Sequence, residues 1–332
     1  MARLDEQGGL DVVTNGRFPS PAQKHVHIFF MDGVGLGAPD PATNPFATAQ
    51  MPHLTALLGE NWYLAQNGRI VTPRATLIPT DANLGVNGRP QSATGQATIL
   101  TGRNIPKLIG EHYGPKPNTI IANLIRQGNL FQEVVQAGGH AALITPYPQQ
   151  YFDAITSGRR LYSAVPLAAT SAGLPLMTAD NLKNGRAVSP GFTGQGWHTH
   201  LGYTDIPLLT LEEAGRQIAT IARTWHFSFF EHWPSDRSGH RGTLQQAVHH
   251  LEIIDTVLGS LLEHWNDNHG LLIITSDHGN IEEKHHRQHT TNPVPTILVG
   301  NGHQQLANQI KDLTDIAKVV RQWLGLPTPS WP

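Results

Sequence analysis

Residues 271–300 read LLIITSDHGNIEEKHHRQHTTNPVPTILVG. Two apolar runs, LLIIT (271–275) and TILVG (296–300), enclose a polar loop. The loop carries Asp277 and four histidines: His278, His285, His286 and His289. Short, continuously apolar runs bounded by turn signals suit strands buried on both faces of a sheet. Asp277 and His278 then stand at the carboxyl end of a buried strand, where ligands collect in open α/β sheets. The loop is either a solvated polar connection or a place where some of these histidines hold metal.

Similar runs recur along the chain: VHIFFM (26–31), AALIT (141–145) and FSFFE (227–231). Helical patterns lie between them, in LTALLGE after Met51–Pro52, in 118–139, in 243–265 and in 312–325, the last closed by Gly325. This alternation predicts a doubly wound α/β fold, with a mostly parallel sheet sandwiched by helices. Residues 146–200 break it. They are rich in Pro, Gly, Ser and Thr and are read as a small inserted cap or lid. The expected organisation is a flexible N-terminal segment (1–24), a catalytic core (25–145 and 201–332) and the 146–200 insertion.

Length and composition bound the function. The 332 residues are 39% hydrophobic and 14% charged, a globular composition. The net charge of -2 offers no bulk attraction to nucleic acid or an anionic membrane, and neither is expected as a partner. Cysteine is absent, so a metal would be held by His, Asp, Glu or hydroxyl ligands. No signal-peptide core precedes residue 25, and no apolar run approaches the ~20 residues that span a bilayer. The expectation is a soluble, cytoplasmic protein; oligomeric state is left open.

Three strands deliver acidic or imidazole side chains to one rim. Asp32 follows VHIFFM, Asp236 and His240 (in DRSGH) follow FSFFE, and Asp277 and His278 follow LLIIT. His289 lies eleven residues beyond His278, close enough to return. A further segment, GRPQSATGQATILTG (88–102), places Ser92 where a loop becomes a helix, beside unpaired backbone N–H groups that favour a phosphate. Taken singly, each residue also fits ordinary turn or cap chemistry. His285 and His286 are read as solvated loop residues.

With these residues assembled, the chain resembles the alkaline phosphatase superfamily, nearest the branch of cofactor-independent phosphoglycerate mutase and phosphopentomutase. MDGVGLGAPD…NPFATAQMPHLTALL is similar to that branch's first segment, and PQSATGQATILTGR to its nucleophile segment. DRSGH resembles D-x-x-G-H, and SDHGN…HTTNPVP resembles the D-H-G-N and H-T-x-x-P-V-P pair. The resemblance covers roughly 26–112 and 205–300. It implies two divalent ions, Mn or Zn: one held by Asp32, Ser92, Asp277 and His278, the other by Asp236, His240 and His289. It also implies Ser92 as nucleophile.

Paired cations suit in-line phosphoryl displacement, and mixed carboxylate and imidazole donors suit Mn or Zn. Arg89, Arg103, Lys107, Arg237 and Arg241 are candidates for neutralising substrate phosphate. Arg159, Arg160, Lys183 and Arg186 would reach the substrate from the insertion. Because that insertion is small, water exclusion is expected to be poor. The reading is therefore a phosphohydrolase of a small mono- or diester, with a phosphoglycerate- or phosphopentose-type mutase as the alternative. A metal-binding protein without turnover is a third reading, disfavoured because every ligand and the nucleophile are present.

Overall fold

The computed structural model describes residues 24–329. The expectation for the first 24 residues therefore lies, Lys24 apart, outside the described residues.

The chain enters through β1 (His25–Met31) and passes α1 (Pro52–Leu58), β2 (Ile70–Val71) and β3 (Ala75–Thr80). Helices α2 (Ser92–Thr101), α3 (Ile105–Ile109), α4 (Thr119–Gln127) and α5 (Leu130–Gln136) lead to β4 (Ala141–Leu143). Next come α6 (Gln149–Thr156), α7 (Ala164–Ser171), α8 (Ala179–Lys183), α9 (Gln195–Leu201) and α10 (Leu211–Ala222). Then follow β5 (Phe227–His232), α11 (Pro234–Arg241), α12 (Leu244–Glu263), β6 (Gly270–Thr275), β7 (Val294–Val299), α13 (His303–Ala307) and α14 (Thr314–Leu324).

The strands form one sheet in the order β2-β3-β7-β6-β1-β5-β4. β6, β1, β5 and β4 are parallel, whereas β7 runs against β6 and β3, and β2 against β3. Five strands thus share one direction, as the mostly parallel expectation required. β7 reverses because no crossover helix separates it from β6; the connection is the polar loop itself.

The continuously apolar strands serve two cores. Val26, Ile28, Phe227, Phe229, Leu271 and Ile273 pack on one face with α2, α4, α5, α7 and α14. Phe29, Met31, Phe230, Leu272 and Ile274 pack on the other with α1, α10 and α12. Each strand alternates between faces, so a doubly covered sheet needs apolar residues at every position. Local signals set the helix starts: Thr210 with Glu213 and Thr243 with Gln246 form capping boxes at α10 and α12.

The 146–200 segment is not one inserted unit. Helix α7 (AVPLAATS) is buried in the first core, against α2, α4 and α5. Its small apolar side chains leave it no polar face to turn to water. Only Leu182, Ala187, Trp197 and Ile206 form a separate apolar cluster, so the part able to act as a cap is smaller than expected. No helix among the described residues is long and apolar enough to cross a membrane.

Candidate metal centre and nucleophile

The site is built at the carboxyl ends of β1, β5 and β6 and at the start of α2. Pro234 opens α11 directly after β5, its fixed φ suited to the first helical position. Asp236 and His240, four residues apart, therefore share one helix face. Lys284, half-buried, donates to the carbonyls of Ser238 (2.8 Å) and Gly239 at the end of that helix and anchors it.

All seven expected ligands converge, in two adjoining sets. In one, His240 Nε2 lies 3.3 Å from Asp236 Oδ1 and 3.1 Å from His289 Nε2, and His289 Nε2 lies 3.6 Å from the same carboxylate oxygen. In the other, His278 Nε2 lies 3.0 Å from Ser92 Oγ, 3.3 Å from Asp32 Oδ1 and 3.6 Å from Asp277 Oδ2. The His278 and His289 rings stack at 3.6 Å and form the wall between the sets. Donors ~2.0–2.1 Å from a tetrahedral ion stand about 3.3 Å from each other, the spacing seen here.

Tautomers make the fit sharper. His240 Nδ1 donates to the Arg287 carbonyl (2.7 Å) and His289 Nδ1 to the Pro90 carbonyl (2.8 Å). A carbonyl only accepts, so both Nδ1 atoms carry a proton, and each ring, when neutral, presents a bare Nε2. Two lone pairs 3.1 Å apart repel unless a cation or a proton lies between them. Asp32 Oδ1 is buried without a hydrogen-bond partner, a second atom that a cation would satisfy.

The electrostatics agree. Burial, then Asp277 and Asp236, raises the Asp32 carboxyl well above its ordinary range. Burial, then Asp236, raises Asp277 to about 7. For Asp236 burial is outweighed by the His240 hydrogen bond, by His278 and by Asn280, and it falls to about 2. Burial lowers His278 and His289 to about 4, so both are neutral donors at pH 7. His240 is raised by its bond to Asp236. Three crowded carboxylates with so little local cationic charge suit bound dications.

The sequence reading missed the residues that aim these ligands. Gln96, one turn after Ser92, donates to Asp277 Oδ2 (3.1 Å) and Asp32 Oδ2 (3.4 Å). Asn280 donates to Asp236 Oδ1 (2.7 Å). Buried Glu282 accepts from the N–H of Gly35 (3.0 Å) and Asn280 (2.8 Å), from Thr290 Oγ1 and from Asn292 (3.0 Å), knitting the β1 and β6 loops together. Gly95 brings α2 against Asp277; a Cβ there would lie 2.8 Å from Asp277 Cβ and 2.9 Å from its carbonyl. The i, i+4 spacing of Ser92 and Gln96 was the available signal for Gln96.

Ser92 is the first residue of α2 and is nearly buried, at the base of a cleft of about 480 Å³ lined also by Asp236, His240, His289, Arg89 and Arg287. The N–H groups of Thr94 and Gly95 bond to Tyr113 and Gln91 carbonyls. Those of Ser92 and Ala93 bond to no described residue, which leaves them for an anion. Thr94 Oγ1 is turned to the Gln91 carbonyl (3.0 Å) and supports the loop.

The basic candidates divide. Arg89 reaches the cleft, where it bonds Gln288, and Arg287 joins it unforeseen. Arg103 does not: it follows the opposite end of α2, ~15 Å away by helix rise, in another cavity with Lys107. Arg237 and Arg241 are rotated off the ligand face of α11 and line a groove with Gln246 and His249. Arg159 is exposed and bonds Ser157, Arg186 is exposed, and Lys183 pairs with Asp205. Arg160 lies over the Tyr151 ring, 4.8 Å from its centroid, near Lys116. His285 and His286 sit in the loop beside Glu283, with His286 Nε2 3.1 Å from its carboxylate.

Comparison with known proteins bears on the family and the fold. Residues 210–328 match the family model described as the Metalloenzyme superfamily. The 2,3-bisphosphoglycerate-independent phosphoglycerate mutase of Thiobacillus denitrificans is 38% identical over 101 residues, which are 28% of this chain and 20% of that protein. A second such mutase, from Methanosarcina barkeri, is 36% identical over 102 residues, 29% of this chain and 19% of that protein. The matched region thus spans about a fifth of the length of these curated relatives. In fold, the chain is similar to the PH0037 protein of Pyrococcus horikoshii (TM-score 0.55, 14% identity, 94% of this chain and 99% of that one). It is also similar to an alkaline phosphatase from the Antarctic bacterium TAB5 (TM-score 0.52, 10% identity, 92% and 99%).

Residues 210–328 thus match the Metalloenzyme superfamily, and the chain has an alkaline phosphatase-like fold. The two curated relatives named above are both 2,3-bisphosphoglycerate-independent phosphoglycerate mutases.

Proposed function

We propose that this chain transfers a phosphoryl group from a small phosphorylated substrate to Ser92, and from Ser92 to a second acceptor oxygen, as a phosphomutase. The observation that carries phosphoryl transfer is Ser92 Oγ beside His278 Nε2, next to two donor sets that fit divalent ions. Two such ions, Mn or Zn, would lower the pKa of the serine hydroxyl and neutralise charge on the transferred group.

This chain's own residues do the rest. Gln96 and Asn280 hold the carboxylates in place. The free N–H groups of Ser92 and Ala93 bind phosphoryl oxygens, and Arg89 and Arg287 hold the substrate's remaining charge at the cleft mouth. The Ser92 Oγ–P bond forms as the substrate's ester P–O bond breaks, and the proton that the Ser92 hydroxyl gives up balances the one that the departing alkoxide takes up. The phosphoryl group then moves from Ser92 to a hydroxyl of the bound alcohol, or to water.

Mutase is preferred over the hydrolase expected from sequence because the curated relatives named above are mutases. Hydrolysis stays as a second reading on one observation: with α7 in the core, little chain is left to seal the cleft from water. The test is a panel of phosphoglycerates, pentose phosphates and aryl phosphates, assayed with added Mn or Zn for both isomer and free phosphate. Isomer without equivalent phosphate supports the mutase. Phosphate released one-for-one with substrate consumed overturns it in favour of hydrolysis.

A further inference from the structure

We propose that the cavity at the C-terminal end of α2 is a second binding site, for an organic phosphate of nucleotide size. This proposal does not rest on the catalytic reading. The cavity holds about 970 Å³, twice the cleft over Ser92. Four basic residues line it, Arg103, Lys107, Lys318 and Arg321, and no acidic one.

Two of these cations are engaged. Arg321 holds Glu133 through Nε (2.7 Å) and Nη2 (2.9 Å) and donates to the Thr101 carbonyl (2.8 Å), while Lys318 holds Asp315 (2.6 Å). The other two are available. Arg103 has one neutral partner, Gln127 (2.9 Å), and its Nε is buried without any. No ion pair to a described residue engages Arg103 or Lys107. A buried guanidinium N–H left unpaired is costly, and a ligand oxygen would satisfy it. Two phosphate oxygens on Arg103 and Lys107 complete both charges.

The rest of the cavity is not built for phosphate alone. Leu108, 53% exposed, and Leu326 form an apolar part of the wall. The volume lies at the upper end of what small organic ligands fill, far above one phosphate ion. A phosphate joined to an apolar or flat organic body matches both parts. The site is ~15 Å of helix from Ser92, so its ligand does not compete with substrate.

The probes are AMP, adenosine and inorganic phosphate, titrated calorimetrically into the full chain carrying Ser92→Ala, so that no turnover interferes. The expected result is one equivalent of AMP bound, with adenosine and inorganic phosphate each weaker by ~10-fold or more. Arg103→Ala with Lys107→Ala should weaken AMP by ~10-fold or more, and should leave the turnover of otherwise wild-type enzyme unchanged. If the double variant fails to fold, Lys107→Ala alone should still weaken AMP measurably. No AMP binding at millimolar concentration overturns the proposal. So does binding unaffected by these substitutions, or inorganic phosphate binding as tightly as AMP.

Discussion

Removing one carboxylate of the candidate metal centre should make the metal-free protein more stable. Asp277 is fully buried and its carboxyl is raised from 3.8 to about 7. The folded state therefore holds this proton at pH values where the unfolded chain has released it. Below pH 3.8 both states are protonated and nothing is lost; as pH rises through 7 the folded carboxyl must ionise in place, and the full cost appears. At 1.36 kcal/mol per pH unit, the interval from 3.8 to about 7 gives about 4 kcal/mol. Unfolding entropy of ~2.1 cal/mol/K per residue over 332 residues is about 0.7 kcal/mol/K, so the cost is worth about 6 °C in Tm. Asp277→Asn keeps an oxygen to accept from Gln96 and removes the charge. In chelator at pH 8, this variant should melt up to about 6 °C above wild type, and the gap should close toward pH 4. With Mn or Zn added, the order should reverse, because only wild type has the full donor set. A calorimetric Tm series from pH 4 to 8, with and without metal, makes the test. A variant no more stable than wild type at pH 8 in chelator would refute the reasoning, as would a gap that persists unchanged at pH 4.

Elemental analysis after reloading with Mn or Zn should approach two equivalents, and His289→Ala should lose one of them, whereas His285→Ala and His286→Ala should keep both. Ser92→Ala should lower turnover by at least ~10³ with the fold kept, and Thr94→Ala should cost much less, as assayed by substrate consumption. Gly95→Ala should push α2 off Asp277, costing roughly 1–3 kcal/mol in denaturant unfolding together with much of the turnover.

The strands that carry the site were legible because a doubly covered sheet demands apolar residues at consecutive positions, as in VHIFFM and LLIIT. β3 was not, because Pro79 interrupts its pattern; the structure sets Pro79 opposite Pro295 in an antiparallel ladder. The candidate ligands that the structure brings together could be picked out because each stands just after a strand or in a motif. Asn280 and Glu282 could not, since their roles come from loops that meet only in three dimensions, and Gln96 was passed over although it stands one helical turn after Ser92. Arg103 misled for the opposite reason. It is close to Ser92 in sequence, but ten residues of helix carry it to the far end of α2.

The central claim is that phosphoryl groups pass through Ser92. It is tested most directly by acid-quenching the metal-loaded enzyme during turnover of a substrate it accepts and locating the trapped phosphate by peptide mass spectrometry. The account predicts phosphate on Ser92, absent from the Ser92→Ala variant. Phosphate on Thr94 or another residue, or an active enzyme in which Ser92 never carries phosphate, would contradict it.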